Sequence, residues 1–357
     1  MRKPGPGTVA IHAGAERFDG AVTTPIFSSS TFASGDVTAY HQLKYIRLNN
    51  TPNHRVLHAR LAALEGGEAA VVTASGMAAI STAVLSVLQA GDHVMVEVGC
   101  YGGTDSFFRH ELPRLGIAVD FFDALDPSSG WPLKNNTRAV YVETISNPLL
   151  RVIPLERVAA YAREHGLVSL VDNTFATPLE VRPLELGIDL VLHSATKYLN
   201  GHSDIVAGAV VGSAERILDI TRRLNHFGGS LDPHACFLLE RGLKTLPLRF
   251  RHQSASAARV AAWLEPRCDR VYYPGIGGVV AFEHERAEAI LAALQLFIVA
   301  PSLGGVESLA VRPAATTALN MSAEEMATAG IRTQLVRLSV GCEEVEDLLA
   351  DLEQAFG

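Results

Sequence analysis

The sequence has few of the features that mark membrane, nucleotide-binding or secreted proteins. No run of apolar residues approaches the roughly 20 that a membrane-spanning helix needs. Proline and glycine at positions 4–7 stand where a signal peptide would carry its apolar stretch. No G-x-G-x-x-G or G-x-x-x-x-G-K-[ST] loop follows a predicted strand, which argues against a dinucleotide-binding or P-loop protein. We therefore expect a cytoplasmic protein without a membrane partner.

Cysteine and charge are also sparse. The four cysteines form no C-x-x-C pair and have no matching histidine spacing, so the sequence predicts neither a disulfide framework nor a metal site. Charged residues make up 19% of the chain and the net charge is −8, which argues against nucleic acid as a partner. With 48% hydrophobic residues among 357, the chain can bury a large core, and we predict a folded globular protein.

Short segments rich in β-branched residues alternate with helical patterns over residues 51–250. The predicted strands are 69–73, 94–98, 139–142, 167–171, 190–192 and 207–211. The predicted helices run from near His54 to Gly66, over 77–88 and over 155–165. Because the strands carry apolar residues on both faces, we expect helices on each side of them. The pattern predicts an α/β fold, a three-layer αβα sandwich with a mostly parallel sheet.

The two ends of the chain differ from this central pattern. The first 50 residues are predicted to be irregular, because they are rich in turn-forming residues. After about residue 250 the sequence predicts a helix over 254–264, strands over 279–282 and 336–340, and a strongly patterned C-terminal helix. We therefore divide the chain into an N-terminal segment (1–50), a large domain (51–250) and a smaller α+β domain (251–357).

A lysine follows one of the predicted strands. Lys197 comes shortly after the strand at 190–192, where burying an ammonium group costs several kcal/mol. Burial and nearby cationic groups lower the pKa of a lysine and give an amine that can condense with an aldehyde. The hydroxyls of Ser194 and Thr196 suit a phosphate group. This segment predicts a cofactor site more specifically than any other loop.

Two further strand ends carry residues that a ligand could use. Asp172 ends the strand at 167–171, where a buried carboxylate needs a positive charge beside it. A protonated pyridine nitrogen would meet that need, and so would an ordinary ion pair or helix cap. Gly76 begins the helix after the strand at 69–73, where free N–H groups can bind an anion. A simple cap by Ser75 would give the same pattern.

The two remaining loops follow the strands at 94–98 and 139–142. Tyr101 lies beside two glycines and could stack on a flat ring, or it could be an ordinary loop tyrosine. Asn147 could hold a phenolic oxygen or a carboxylate, or it could only form a turn with Pro148. Together the five loops supply an amine, a partner for a ring nitrogen, a stacking ring and a phosphate cup. These are the parts that pyridoxal 5′-phosphate requires, so we predict that cofactor and an amino-acid substrate.

At these residues the sequence resembles the cystathionine γ-synthase, cystathionine γ-lyase and methionine γ-lyase family, the Cys/Met-metabolism branch of fold type I pyridoxal enzymes. The resemblance runs from about residue 8 to the C-terminus. The motifs that carry it are AVTTPIFSSSTF (21–32), ASGMAA (74–79), YGGT (101–104), ETISNPL (143–149), VDNTF (171–175), HSATKYLNGHSD (193–204), RGLKTLPLR (241–249), SLGGVESL (302–309) and LVRLSVGCE (335–343).

The resemblance implies a role for each matching residue. Lys197 would form the Schiff base with the cofactor and shuttle protons, Asp172 would partner the pyridine nitrogen, and Tyr101 would stack on the ring and serve as an acid or base. The residues implied for the phosphate are Gly76, Met77, Ser194 and Thr196. Those implied for the substrate α-carboxylate are Asn147, Ser302 and Arg337.

The resemblance also implies an oligomer. Tyr45 and Arg47 match a pair that in this family reaches the phosphate of the neighbouring subunit, so the N-terminal segment would complete the site of a second copy. At least a dimer would then be needed for a complete site, and a homotetramer is implied.

Three positions depart from the members that handle cystathionine. Lys44 stands where those members have an acidic residue, Ser106 where they often have Arg, and Pro301 where they often have Glu. The sequence therefore does not predict a pocket for the distal ammonium and carboxylate groups of cystathionine. We predict a carbon–sulfur lyase that performs β- or γ-elimination on a cysteine- or homocysteine-type amino acid. The alternative is a synthase that performs γ-replacement on an activated homoserine.

Overall fold

The computed structural model describes residues 4–38, 42–126, 130–316, 326 and 330–357. The strands are β1 (Ala69–Thr73), β2 (His93–Glu97), β3 (Ala118–Phe122), β4 (Thr137–Glu143), β5 (Val168–Asp172), β6 (Leu190–His193), β7 (Gly208–Gly212), β8 (Arg270–Tyr272), β9 (Val279–Glu283), β10 (Ile298–Val299), β11 (Leu309–Val311) and β12 (Leu335–Ser339). The helices are α1 (Pro6–His12), α2 (Pro52–Glu65), α3 (Gly76–Val87), α4 (Gly102–Ser106), α5 (Leu155–Glu164), α6 (Thr177–Glu180), α7 (Ala214–Phe227), α8 (Pro233–Leu264), α9 (Ala287–Ala293) and α10 (Val345–Phe356).

The strands form two sheets. The larger has the order β1-β7-β6-β5-β4-β2-β3, and the smaller has the order β10-β11-β12-β9-β8. In the larger sheet β7 runs antiparallel to both of its neighbours, and the other pairs are parallel. All its strands except β7 therefore end at the same edge. The predicted mostly parallel sheet with a smaller α+β part is confirmed.

Alternate side chains explain why helices cover both faces of the large sheet. Along β4, Tyr141 packs in one apolar cluster with α3 and α7, whereas Val140 and Val142 pack in another cluster with α5. Along β1, Val71 joins the first of these clusters, whereas Val72 packs with α2 and α8 on the opposite face. Complete burial of such a side chain contributes about 1.5–3 kcal/mol. The two-sided pattern in the sequence thus produces the three layers.

The structure corrects two of the predicted elements. The first 50 residues are not wholly irregular, because α1 begins with Pro6 at its first position and packs on α8. The helix predicted over 254–264 is the last third of α8, which has 32 residues and is continuous through Pro247. Proline in a helix removes one hydrogen bond, and here packing of both faces of α8 outweighs that loss. The helix runs through residue 250, where the sequence places a boundary. Among the described residues, no helix is both long and apolar enough to cross a membrane.

Candidate active site

A cavity of about 350 Å³ opens at the edge where the parallel strands end. Its size is in the range of small-molecule sites. Ten of the residues that the sequence singles out line it: Gly76, Met77, Tyr101, Asn147, Asp172, Ser194, Thr196, Lys197, Ser302 and Arg337. The first eight lie at or shortly after the ends of strands of the large sheet, and the last two come from the part of the chain after residue 250. The cavity therefore lies between the two sheets.

Lys197 projects into this cavity from the turn after β6. Its Nζ donates a hydrogen bond to Ser302 Oγ over 2.8 Å. Burial, and then the positive charge of Arg337, lower the pKa of Lys197 to about 8. At pH 7 a group with that pKa is unprotonated in about one molecule in ten. The amine can therefore act as a nucleophile or as a base near neutral pH.

Arg337, on β12, is a buried cation that pairs with no anion in the part of the chain that the structure describes. Its side chain donates to Asn147 Oδ1 over 2.8 Å and to the carbonyl oxygen of Ser302 over 3.1 Å, and its Nε has no partner within the described ranges. The residue is 2% exposed, and burial lowers its pKa to about 10. No carboxylate in the described part of the chain forms an ion pair with it. A buried guanidinium without a counter-charge is costly, so the cavity has a place for a ligand carboxylate.

Ser302 joins these two cations. Its hydroxyl accepts from Lys197 and its carbonyl oxygen accepts from Arg337. Its φ of 111° is one that residues other than glycine rarely adopt, and such strain persists only where the surroundings fix it. The strained backbone thus presents the hydroxyl and the carbonyl of one residue to both cationic groups.

Asp172 and Glu143 end two adjacent strands and are directly paired in the register of β4 and β5. Asp172 Oδ1 accepts from the backbone N–H of Thr174 over 2.9 Å. Burial raises the pKa of Asp172, and burial together with the nearby Asp172 raises that of Glu143 well above its usual range. No basic side chain of the described ranges hydrogen-bonds to Asp172. This end of the cavity therefore favours a ligand with a positive N–H group.

The start of α3 provides the anion-binding geometry. Ser75 Oγ caps the helix by accepting from Ala78 N over 3.0 Å, and the N–H groups of the first turn have no acceptor within a helix. A Cβ atom at Gly76 would lie 2.9 Å from Cβ of Ser194, so only glycine allows this close approach of the two loops. Thr196 Oγ1 is already bonded to both the N–H and the carbonyl of Ala207. The residues predicted to bind phosphate therefore lie together in the cavity, and the Thr196 hydroxyl is already hydrogen-bonded to the backbone.

Tyr101 lies at the mouth of the cavity and is 44% exposed. Its backbone N–H donates to Glu143 Oε1 over 2.7 Å, which fixes the start of α4. A Cβ at Gly103 would come within 2.6 Å of the Tyr101 ring, so the glycine makes room for the ring over the first turn of α4. The ring is thus accessible at the cavity entrance, and its stacking on a ligand stays a prediction.

Tyr45 and Arg47 lie outside this cavity. Arg47 donates to the carbonyl oxygen of Asn225 over 2.9 Å, and its guanidinium lies 5.7 Å from the centre of the Tyr45 ring. Tyr45 is 39% exposed. The structure of one chain therefore does not bring this pair to the site that the same chain forms.

Glu143 and Thr174 also line the cavity, although no role was predicted for either. Thr174 Oγ1 accepts from the backbone N–H of Ser194 over 2.7 Å and so ties the Asp172 loop to the Lys197 loop. Both lie inside motifs that the sequence shows, ETISNPL and VDNTF. In the sequence, Glu143 and Thr174 are marked only as polar residues at the ends of strands, and spacing alone does not distinguish such residues from those of an ordinary turn.

Comparison with known proteins identifies the family of this chain. The family model described as Cys/Met metabolism PLP-dependent enzyme matches residues 7–357. The chain is 41% identical to an L-methionine gamma-lyase of Fusobacterium nucleatum subsp. polymorphum over 99% of this chain and 98% of that protein. It is 40% identical to a protein of Bacillus subtilis (strain 168) named cystathionine gamma-synthase/O-acetylhomoserine (thiol)-lyase, over 94% and 92% of the two chains.

A solved structure gives the same result. The crystal structure of cystathionine gamma-lyase from Lactobacillus plantarum complexed with L-serine superposes with a TM-score of 0.94 at 36% identity, over 99% of this chain and 98% of that one. The family and the cofactor predicted from the sequence are both confirmed. This chain belongs to the Cys/Met metabolism family of enzymes that depend on pyridoxal phosphate.

Proposed function

We propose that this enzyme is a carbon–sulfur lyase that eliminates a β- or γ-substituent from a cysteine- or homocysteine-type amino acid. The observation that carries the proposal is the buried Arg337, which has no counter-ion among the described residues and is joined through Ser302 to the Lys197 amine. Arg337 with Asn147 would bind the α-carboxylate of an amino acid. Lys197 would then lie beside the α-carbon of that amino acid as a base.

The residues present fit pyridoxal phosphate. Asp172 is a buried carboxyl group without a basic partner in the described ranges, and it would hold the ring N–H. Tyr101 would stack on the ring. The residues that would bind the phosphate are Gly76, Met77, Ser194 and Thr196, and the first turn of α3 provides N–H groups for it. Lys197 would hold the cofactor through its side-chain amine.

The chemistry divides between cofactor and chain. Pyridoxal phosphate, when bound, supplies an aldehyde that condenses with amines and a ring that withdraws electron density from the α-carbon. Lys197 removes the α-proton, because its lowered pKa leaves an unprotonated amine near neutral pH. Ser302 Oγ holds that amine while it is free, and Arg337 fixes the α-carboxylate. Asp172 would hold the N–H group of the cofactor ring.

The remaining wall of the cavity supports a substrate with an uncharged side chain. The charged residues that line it are Glu143, Asp172, Lys197 and Arg337, and the proposed roles of the last three already use them. Apolar residues such as Ile145, Phe175 and Leu303 supply much of the rest. In the described part of this chain, no cation besides Lys197 and Arg337 lines the cavity to bind a distal carboxylate. A thiol or thioether side chain suits this wall better than a second amino-acid group.

Product analysis tests the proposal. The holoenzyme would be incubated with cysteine, homocysteine, methionine, cystathionine and an O-acylhomoserine, with and without an added thiol, and products identified by mass. A lyase releases a 2-oxo acid, ammonia and a thiol from a sulfur substrate alone. The Lys197→Ala variant is the control, and we expect it to lose both turnover and the visible absorbance of the imine. Turnover that depends on an added thiol acceptor would contradict the lyase assignment.

A γ-replacement synthase is the second candidate. Its support is the 40% identity to the Bacillus subtilis protein whose name includes cystathionine gamma-synthase. The same experiment distinguishes the two, because a synthase consumes the O-acylhomoserine and joins the added thiol to the γ-carbon.

We further propose that Tyr45 and Arg47 complete the site of a second copy in a homotetramer. Co-expression of Lys197→Ala chains with Arg47→Ala chains tests this. In randomly paired dimers about a quarter of the sites would combine the intact residue of each variant and regain activity. Activity no higher than that of the two variants measured apart would contradict a shared site. We also propose a cytoplasmic location, supported by four free cysteines, which cell fractionation would check.

A further inference from the structure

A buried carboxylate–imidazole pair lies behind the cavity, and neither member lines it. Glu65 is the last residue of α2 and His193 is the last residue of β6. Oε1 of Glu65 lies 2.5 Å from Nε2 of His193, and each side chain is only 1% exposed. Desolvating such a pair is costly, and its contribution to stability is small or negative. A pair at this depth therefore calls for an explanation other than stability.

The contacts of Glu65 surround Asp172. Besides His193, the same Oε1 accepts from Asn173 Nδ2 over 3.0 Å. Asn173 directly follows Asp172, and its Oδ1 accepts from Thr144 Oγ1 over 2.8 Å. Thr144 in turn donates its backbone N–H to the carbonyl oxygen of Asp172 over 2.9 Å. One carboxylate oxygen on a distant helix thus fixes the strand end that carries Asp172.

His193 also affects the charge of Asp172 from the neighbouring strand, β6. Leu192, the residue before His193, is the register partner of Asp172 across β5 and β6. A positive charge on His193 lowers the pKa of Asp172 and so opposes the effect of burial. Within the described ranges, the ionisable groups on the other side are Glu143 and Tyr141 on β4 and Cys100 after β2, and none of these three is cationic. Oε2 of Glu65 and Nδ1 of His193 have no hydrogen-bond partner within the described ranges.

We propose that Glu65 is a positioning residue that acts through His193 and Asn173 to fix the orientation and the charge of Asp172. The chain places a carboxylate, an imidazole and a second carboxylate in succession, and a positive charge on the imidazole lowers the pKa of Asp172. Alternating charges of this kind strengthen one another where the surroundings exclude water. The inference rests on the proposed role of Asp172 as partner of the cofactor ring nitrogen.

The Glu65→Gln variant tests the inference, because it keeps the size of the side chain and an acceptor oxygen but removes the charge. We expect pyridoxal phosphate to bind to the cofactor-free variant about tenfold more weakly, the lower end of what loss of an orienting partner costs at metal sites. We expect kcat to fall by a similar factor with KM within about twofold, and the pH dependence of the visible absorbance to shift. A purely structural residue would leave that pH dependence unchanged.

Glu240→Gln is the matched control. Glu240 forms the other buried ion pair of α2, with Arg60 over 3.2 Å, and it is also nearly inaccessible. We expect this variant to lower the melting temperature without changing cofactor affinity, kcat or the absorbance profile. Glu65→Gln behaving as Glu240→Gln does would overturn the proposal.

Two further variants cover the remaining outcomes. If Glu65→Gln does not fold, His193→Gln keeps a neutral donor for Glu65, and it should reproduce the weaker cofactor binding and the altered absorbance profile. Unchanged binding and absorbance in that variant would overturn the inference equally. Asp172→Asn separates this inference from the proposed function. If Asp172→Asn weakens cofactor binding and Glu65→Gln does not, only the role of Glu65 is refuted. If Asp172→Asn leaves cofactor binding unchanged, both proposals are refuted.

Discussion

Replacement of Lys197 by methionine should stabilise the cofactor-free enzyme at pH 7. The folded protein holds the Lys197 ammonium in a partly buried site beside Arg337, and its pKa falls from 10.5 to about 8. At about 1.4 kcal/mol for each tenfold change in proton affinity, this fall corresponds to a cost of up to about 3 kcal/mol. Contact of the cavity with water reduces the figure, so we expect the variant to gain about 1–3 kcal/mol in free energy of unfolding.

The gain should depend on pH with a definite sign. Below pH 8 the lysine is protonated in both the folded and the unfolded chain, so the folded state carries the whole cost. Between pH 8 and 10.5 the unfolded chain binds more protons than the folded chain, so the stability of the unmodified enzyme rises with pH. The advantage of the methionine variant should therefore shrink as pH rises and be nearly lost by about pH 10.5.

Chemical denaturation of both cofactor-free proteins, at one protein concentration and at pH 7 and 10, measures this difference. Lys134→Met is a suitable control, because that side chain is 47% exposed in a surface ion pair with Asp120. Its effect on stability should be below about 1 kcal/mol. A Lys197→Met variant that is no more stable than the unmodified protein at pH 7, or whose advantage does not change with pH, would refute the assignment of a strained, buried ammonium.

Three further variants test the rest of the cavity. Arg337→Lys should lower kcat/KM by about a hundredfold, mainly through KM, because the planar two-donor contact with a carboxylate is lost; steady-state kinetics check this, and an unchanged KM would contradict the carboxylate site. Ser302→Ala should lower kcat by about tenfold with little change in KM, because the free Lys197 amine loses its hydrogen-bond partner. Steady-state and single-turnover kinetics check this, and a raised KM with an unchanged kcat would contradict it. Gly76→Ala should weaken cofactor binding by about tenfold or more, because the added methyl group meets Ser194; titration of the cofactor-free protein checks this, and unchanged affinity would mean that the phosphate lies elsewhere.

The central sheet could be predicted because its strands are short, β-branched and buried on both faces. β1 has the bounds that its apolar run predicts, and β6 differs by one residue. β3, in contrast, is an edge strand whose side chains are largely half-exposed, so its mixed sequence gives no clear period. Helix α8 was only partly predicted because Pro247 is a helix breaker in isolation, and the packing that tolerates it involves distant parts of the chain.

The meeting of the strand-end loops at one cavity could be predicted because parallel strands have their carboxyl ends at one edge, so that loops far apart in sequence meet there. Arg337 and Asn147 are 190 positions apart and hydrogen-bond to each other. From the sequence, only the family resemblance indicated that they belong to one site. Glu65 and His193 are 128 positions apart and belong to no spacing pattern. Contacts of this kind depend on how a helix end meets a strand end, which local propensity does not determine.

Helix α8 prevents division of the chain at residue 250 into two stable halves. At 1.5 Å per residue its 32 residues span about 48 Å, and it packs on α1 and α2 near its start and on β9 and α10 near its end. A chain cut at residue 250 would split this rod in two and expose apolar side chains such as Leu246 and Val260, which are fully buried in the intact protein. Expressed halves should therefore aggregate, and proteases should spare residues 233–264. Relative movement of the two sheets would bend one continuous rod instead of turning on a flexible loop.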